Sequence, residues 1–470
     1  YDKPVDGKEF SNANEYHKVF YHKLGTPQSE DKVIYENRNE PLHFHNVGIT
    51  DDESVLFVMG GGAGNGNSLY IKDLTKPNSK WITVEDSQDY DISVIDSRDG
   101  KLYIFTSADA PRYRLVTADV SAPQRANWKE LVPENKDAVL VNTDFAGDKM
   151  ILTYDKDASH HAYVYNIDGT PVREITLPTY GTLSFSTDSK SPEAFYSFAS
   201  FTTPASIYRY NVDSGESSLF RSTELQGFNP DDYITEQVFY PSSDGTKIPM
   251  FLTYRKGIER NGKNPVYLYG YGGFNITLNP SFSANRLIWL ENGGIYAQAN
   301  LRGGGEYGEE WHLAGTKQNK LNVFNDFISA AEYMIEQGWT NPELIAIEGG
   351  SNGGLLVGAV TNMRPELFRV AIPRVGVMDM MRYHLFTIGW NWAHDYGTSA
   401  DSPEMAEYLL AYSPLHTIRN DGTPYPAIMV TTADHDDRVV PAHSFKYAAT
   451  LQAADTGDQP KLIRNDSKAG

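Results

Sequence analysis

The chain has 470 residues, 40% of them apolar and 12% aromatic, which is enough for two hydrophobic cores rather than one. Its 61 Asp and Glu against 41 Lys and Arg give a formal charge of −20, which argues against nucleic acid or an anionic membrane surface as the main partner. There is no cysteine, so disulfides, thiol nucleophiles and Cys-ligated metals are excluded, and no apolar run of about 18 residues offers a membrane span.

The chain opens at Tyr1 without Met or a targeting pattern and stops at Ser467-Lys468-Ala469-Gly470, so it reads as an internal fragment of a longer protein. Its first half repeats itself. An alternating, aromatic-rich strand ending in an aliphatic residue recurs at Leu24, Leu74, Val120, Ile167 and Val212, at spacings of 50, 46, 47 and 45. Short strands such as Val55–Met59, Lys101–Phe105 and Met150–Tyr154 lie between the copies, and helical periodicity is nearly absent. A period in the mid-forties with several strands per unit predicts β-propeller blades, four to five of them, with an irregular β-sandwich as the alternative. The glycine-rich run from Gly60 to Asn67 resembles a phosphate loop in composition. It joins two strands with no helix to aim N–H groups, and is read as a propeller loop. His43 and His45 share one face of an extended segment but lack a third ligand, and His160-His161 reads as a similar surface pair.

Beyond residue 225 the texture changes. A hairpin around Ser243-Asp244-Gly245 leads into strands that alternate with helices: Val266–Tyr269 and Ile295–Asn300 read as buried strands, and Val323, Phe324, Phe327, Ile328, Ala331, Met334 and Ile335 form one apolar helical face. Leu344–Ile347 and Ala427–Thr431 continue the series. The pattern predicts an α/β-hydrolase-like domain with a doubly wound, mostly parallel sheet over residues 226–470, after a propeller over 1–225.

Between the strand at Leu344 and a predicted helix stands Gly349-Gly350-Ser351-Asn352-Gly353, a G-x-S-x-G pattern. A serine on a strained strand-to-helix corner needs neighbours without Cβ atoms if its hydroxyl is to project into a site, so Ser351 is the candidate nucleophile. Serine is a weak nucleophile and needs a base held by a carboxylate, in the chain order Ser, acid, His for this fold. Asp434, Asp436 and Asp437 all follow the late strand. After them only His443 occurs, at the start of a predicted helix.

Four segments stand together in one order: Tyr269-Gly270-Tyr271-Gly272-Gly273-Phe274, Asn300 to Gly308, Gly349 to Gly354, and Asp434 to Pro441. Through them residues 226–470 resemble the catalytic domain of the prolyl oligopeptidase family of serine peptidases, and the repeats resemble its propeller. The resemblance implies a serine endopeptidase that cuts short peptides on the carboxyl side of proline through an acyl-enzyme, without cofactor or metal. It singles out Asp436 as the acid. It places the base in a Lys-Ala-Gly-His-Gly loop, so the catalytic His is expected immediately after Gly470, with His443 as the alternative. It also implies an oxyanion hole from the N–H of Asn352 and the phenol of Tyr271. The proline slot would have Trp392 as its stacking face, Trp390 being the fallback, and Phe274, Val377, Tyr396 and Val439 as its walls. Arg438 would bond the peptide carbonyl beside the proline. Short proline-containing peptides are the implied partners of a cytoplasmic monomer, with a periplasmic or secreted location as the alternative. Two other readings stand beside this one: a related serine oligopeptidase of the oligopeptidase B type, which calls for acidic residues where these walls are apolar, and a catalytically dead binding homologue.

Overall fold

The computed structural model describes residues 1–2, 14–62, 64 and 66–470; Ala63 and Asn65 of the glycine-rich loop lie outside the described residues. The first half forms four four-stranded antiparallel meanders, spanning residues 44–85, 92–132, 139–175 and 182–221. A two-stranded pair, Lys18–Tyr21 with Lys32–Glu36, precedes them. The sequence repeat falls on the third strand of each meander: Ser68–Asp73, Arg114–Asp119, Ser159–Asn166 and Ser206–Asn211. The strand Lys18–Tyr21 stands at the same phase of the sequence repeat, ahead of Leu24.

The two middle blades bury both faces, and strand alternation decides which residue serves which neighbour. Leu102 and Ile104 pack back onto Val55, Leu69 and Ile71 of the preceding blade. Tyr103, between them, packs forward onto Leu140, Phe145 and Met150. The pattern repeats one blade later, where Met150 and Leu152 face back and Ile151 joins Leu183, Tyr196 and Phe198 ahead. Each such side chain contributes roughly 1.5–3 kcal/mol of burial, so the evenness of the repeat reflects a single packing problem solved once per blade.

Residues 233–466 carry an eight-stranded sheet. Its strands are β1 Tyr233–Pro241, β2 Lys247–Arg255, β3 Val266–Tyr269, β4 Ile295–Ala299, β5 Ile345–Gly350, β6 Val370–Arg374, β7 Ala427–Ala433 and β8 Lys461–Asp466. Their order is β1-β2-β4-β3-β5-β6-β7-β8, with only β2 antiparallel to its neighbours on both sides. Helix α1 (Ala284–Glu291) buries Leu287 and Leu290 against Phe251 and Tyr296 on one face. The other face, through Leu268, Ala297 and Ile347, packs on α3 (Lys320–Glu336), α4 (Asn352–Met363) and α7 (Ala442–Ala453). The short helices α2 (Glu309–Leu313) and α5 (Ala393–Tyr396) and helix α6 (Pro403–Tyr412) complete the domain. Among the described residues no helix is long and apolar enough to cross a membrane.

Polar and aromatic contacts join the two halves. Asn279 donates to both oxygens of Asp155 at 2.9–3.0 Å, Tyr307 donates to Asp157 at 2.7 Å, and Arg112 donates to the carbonyl of Tyr307 at 3.2 Å. Phe201 packs on Phe251 and Tyr296, and Phe44 stacks on Trp390. The histidines singled out in the sequence have local partners. His45 is buried with its Nδ1 against the carbonyl of His17, and His43 Nε2 pairs with the Gln88 amide. His160 departs from the expected surface pair: its Nδ1 accepts the N–H of Leu183 on the next blade at 3.0 Å. Among the described residues no group of three His, Asp or Glu is placed to hold a metal.

Candidate active site

Ser351 ends β5 and starts α4 at φ 58°, ψ −117°, a conformation that costs a non-glycine residue on the order of 1–3 kcal/mol. Packing around it enforces the corner. A Cβ on Gly349 would stand 2.4 Å from the carbonyl oxygen of Gly353, and one on Gly353 would stand 2.7 Å from that of Gly270. Gly350, by contrast, has open space where a Cβ would go. The N–H of Ser351 donates to the carbonyl of Arg374 at 2.9 Å, and its own carbonyl accepts from Gly354 and Leu355, so both sides of the turn are fixed. The result is a hydroxyl at the carboxyl ends of the parallel strands, where open α/β sheets bind ligands.

A cavity of about 380 Å³ opens over Ser351. Of the ten residues named from sequence, nine line it: Ser351, Asp436, Tyr271, Phe274, Val377, Trp392, Tyr396, Arg438 and Val439. The tenth, Asn352, is buried beneath it, with its backbone N–H in the first turn of α4, where no intrahelical acceptor exists. Its side chain ties the loop carrying Tyr271: Nδ2 donates to the Tyr271 carbonyl at 2.6 Å, and Oδ1 accepts from Tyr396 at 2.9 Å and Lys320 at 3.1 Å. Burial, with the charge of Asp395 nearby, pushes the Tyr271 phenol up to about 12, so near neutral pH it is a proton-bearing donor.

Behind this loop lies a buried ion network that sequence reading missed. Lys320 Nζ donates to the carbonyl of Gly272 at 3.0 Å and stands 3.5 Å from Asp395 Oδ2. Asp395 Oδ1 accepts the N–H of Phe274 at 3.1 Å and bonds His312 Nε2 at 2.8 Å. Burial alone would raise the Asp395 pKa, but Lys320 and His312 hold it below the usual carboxylate range. Burial likewise opposes a charge on His312, yet its bonds to Asp395 and Glu309 carry it up to about 9. The loop from Tyr271 to Phe274 is therefore fastened at three backbone atoms by buried polar groups, which fixes where the phenol points.

Asp436 is the one carboxylate of its loop that lines the Ser351 cavity. Its Oδ1 accepts the N–H groups of Arg438 and Val439 at 3.0 and 2.9 Å. Asp434 is used elsewhere, accepting from Lys468 N–H at 2.7 Å, and Asp437 lines a separate cavity with Trp390. His443 is turned into the core. Its Nδ1 accepts the N–H of Asp379 at 3.1 Å, its ring meets Phe386 edge-on, and burial pushes it down to about 4. The segment Lys468–Gly470 lies on the Asp436 loop: the N–H of His435 donates to the carbonyl of Ala469 at 2.9 Å, and Gly470 packs against His435 and Asp436.

The two tryptophans separate. Trp392 lines the Ser351 cavity and stacks parallel to Tyr383 at 6.2 Å, whereas Trp390 faces the propeller and stacks on Phe44 at 6.4 Å. Phe274 stands edge-on to Tyr396 at 5.4 Å, and with Val377 and Val439 these rings form an apolar slot beside Ser351. Ile276, Val375, Asn391 and His394 complete the lining and were not singled out in the sequence. Such a site can hold a flat apolar ring, offer two donors to a developing oxyanion, and present a serine to a carbonyl.

Two family models match the chain: "Prolyl oligopeptidase family" over residues 280–470 and "Prolyl oligopeptidase, N-terminal beta-propeller domain" over residues 1–223. The prolyl endopeptidase of Elizabethkingia meningoseptica is 49% identical over 471 residues, covering 100% of this chain. The chain spans 66% of that relative's length. A solved structure from a study of two prolyl endopeptidases superposes with a TM-score of 0.91 at 42% identity, over 96% of this chain and 66% of the other. A mutant of prolyl oligopeptidase B from Galerina marginata, bound to a 35mer hydrolysis and macrocyclization substrate, gives 0.94 at 33% identity, over 99% of this chain and 66% of that one.

Proposed function

From the premise that the chain belongs to the prolyl oligopeptidase family, we propose that it is the larger part of a serine peptidase that hydrolyses short peptides on the carboxyl side of proline. The observation that carries this reading is the shared cavity, in which a strained Ser351, the Asp436 carboxylate, the Tyr271 phenol and the Trp392–Phe274 slot converge. The pyrrolidine ring lies in the slot, and Arg438 receives the peptide carbonyl next to it. Ser351 Oγ attacks the proline carbonyl carbon while its proton passes to a histidine oriented by Asp436. Asn352 N–H and the Tyr271 hydroxyl bond the oxyanion, and the histidine returns the proton to the departing amine. Water then repeats the sequence on the acyl-enzyme and frees the proline carboxylate.

The base is proposed to follow Gly470, because Lys468–Gly470 lies on the Asp436 loop whereas His443 is committed to the core. The same reading keeps the division at residues 1–225 and 226–470, and a cytoplasmic monomer that acts on short proline-containing peptides. In the intact protein, peptides with Pro, Ala or Arg before the scissile bond should be cleaved fastest after Pro, and a fluorophosphonate should label Ser351. Fastest cleavage after Arg would move the protein to the oligopeptidase B type. An unlabelled Ser351 would make it a binding homologue.

A further inference from the structure

The two oxyanion donors, the N–H of Asn352 and the phenol of Tyr271, come from separate segments: the start of α4 and the loop after β3. Their alignment is therefore a tertiary property, and one buried side chain touches both segments. Lys320, the first residue of α3 and 1% exposed, donates from Nζ to the carbonyl of Gly272 at 3.0 Å and to Oδ1 of Asn352 at 3.1 Å. Its third neighbour is Asp395 Oδ2 of α5, at 3.5 Å. An ammonium has three N–H bonds, and three oxygens from three segments stand around this one.

The Asn352 amide completes the tie. While its Oδ1 accepts from Lys320, its Nδ2 donates to the carbonyl of Tyr271 at 2.6 Å. The consecutive carbonyls of Tyr271 and Gly272 are thus held by one linked pair of side chains. The loop is pressed directly onto that pair: a Cβ on Gly272 would stand 2.4 Å from Val323 Cγ1, three residues after Lys320 on α3, and one on Gly273 would stand 2.6 Å from Nδ2 of Asn352. The ammonium also lies 5.2 Å from the ring of Tyr396, whose hydroxyl donates to the same Asn352 Oδ1.

Stability alone is a poor reason for a lysine here. Burial pulls its pKa below the usual lysine range, against the opposing charge of Asp395, and the first turn of a helix presents the positive end of the helix dipole. Buried ion pairs are often replaced by apolar side chains of similar volume without loss of stability. What an apolar side chain cannot supply is directed bonds to the Tyr271 loop and to α4 at once.

We propose that Lys320 is a positioning residue for the oxyanion hole: by bonding Gly272 and Asn352 together it sets the Tyr271 hydroxyl relative to the Asn352 N–H, and so acts on the transition state rather than on bound peptide. The inference rests on the peptidase reading above and deepens it.

The test uses the intact protein and the paired substitution Lys320→Met with Asp395→Asn, which removes both buried charges together and leaves an amide oxygen to accept from the N–H of Phe274. Two ligands share one peptide: one ends in prolinal, an aldehyde, and the other in pyrrolidine, with no carbonyl at that place. Ser351 Oγ adds to the aldehyde carbon, the carbonyl electron pair moves onto oxygen, and the hydroxyl proton passes to the histidine, so the new oxygen enters the oxyanion hole. The pyrrolidide only fills the proline slot. The paired substitution should lower kcat by about 10²-fold and leave KM within about threefold, the scale of losing one oxyanion donor. Aldehyde affinity should fall by the same factor and pyrrolidide affinity should hold. In a Tyr271→Phe background the pair should cost no more than about threefold further, because the donor it aims is already gone.

An unchanged kcat would overturn the proposal. So would an equal loss of affinity for both ligands, which would reduce Lys320 to a strut of the fold, and so would the full loss of kcat in the Tyr271→Phe background. A wild type that fails to hydrolyse proline peptides, and binds the aldehyde no more tightly than the pyrrolidide, would overturn the peptidase reading itself and the positioning role with it.

Discussion

Two buried carboxyls meet where the domains join, and one of them allows a sharp test. Glu306 is 1% exposed; its Oε1 accepts from Leu278 N–H at 3.2 Å and from Asn300 at 3.1 Å, while Oε2 has no partner and lies hard against Gly304. Burial, with Asp155 nearby across the interface, pushes its pKa from 4.5 up to about 7, and burial does the same to Asp155. Between about pH 4.5 and 7 the folded state holds a proton that the unfolded state has released, so stability falls as pH rises through that window. The rise from 4.5 to about 7, at ~1.4 kcal/mol per pH unit, sets the loss at roughly 3 kcal/mol above pH 7. Glu306→Gln keeps the Oε1 acceptor and removes the ionisation. It should leave Tm nearly unchanged at pH 5 and raise it by about 3–6 °C at pH 8.5, scaling the ~2–4 °C per kcal/mol of mid-sized proteins down for a longer chain. Scanning calorimetry of both proteins at the two pH values reads this directly. A pH-independent difference, or a less stable variant at pH 8.5, would show that Glu306 is not held protonated by its burial.

Three further outcomes are expected of the intact protein. Tyr271→Phe should lower kcat by about 10²–10³-fold with little change in KM, since the donor it removes acts on the oxyanion rather than on bound substrate; burst kinetics with an active-site titrant separates this from misfolding. Trp392→Ala should raise KM for proline substrates by about tenfold or more, because the slot loses its stacking face, whereas Trp390→Ala should act on domain contact and not on substrate preference. Gly350→Ala should be accepted, with labelling of Ser351 by a fluorophosphonate retained, while Gly353→Ala should abolish labelling because its Cβ meets the Gly270 carbonyl at 2.7 Å.

The features legible in the sequence were local in their cause. The repeat was legible because each blade solves the same burial problem with the same alternation, so Leu102, Tyr103 and Ile104 carry their packing partners in their order along the strand. The Ser351 corner was legible because backbone crowding at Gly349 and Gly353 forbids side chains there, and a chain that must bend so tightly has few ways of being written. Gly350, the variable position of the pattern, has no such crowding around it.

The features that could not be read arise from distant segments meeting. His312, Lys320 and Asp395 come from three helices and look in sequence like ordinary surface charges, yet Lys320 and Asp395 are 1% and 0% exposed. Only the closed fold shows that they hold the loop from Tyr271 to Phe274. Trp390 and Trp392 could not be separated because they stand in a short 3-10 turn, which has no strand or α-helical period to assign faces. The sequence motifs point to the bond-breaking groups, which need fixed local geometry. The groups that hold the Tyr271 loop are set by how distant helices meet, and that relation has no local signature.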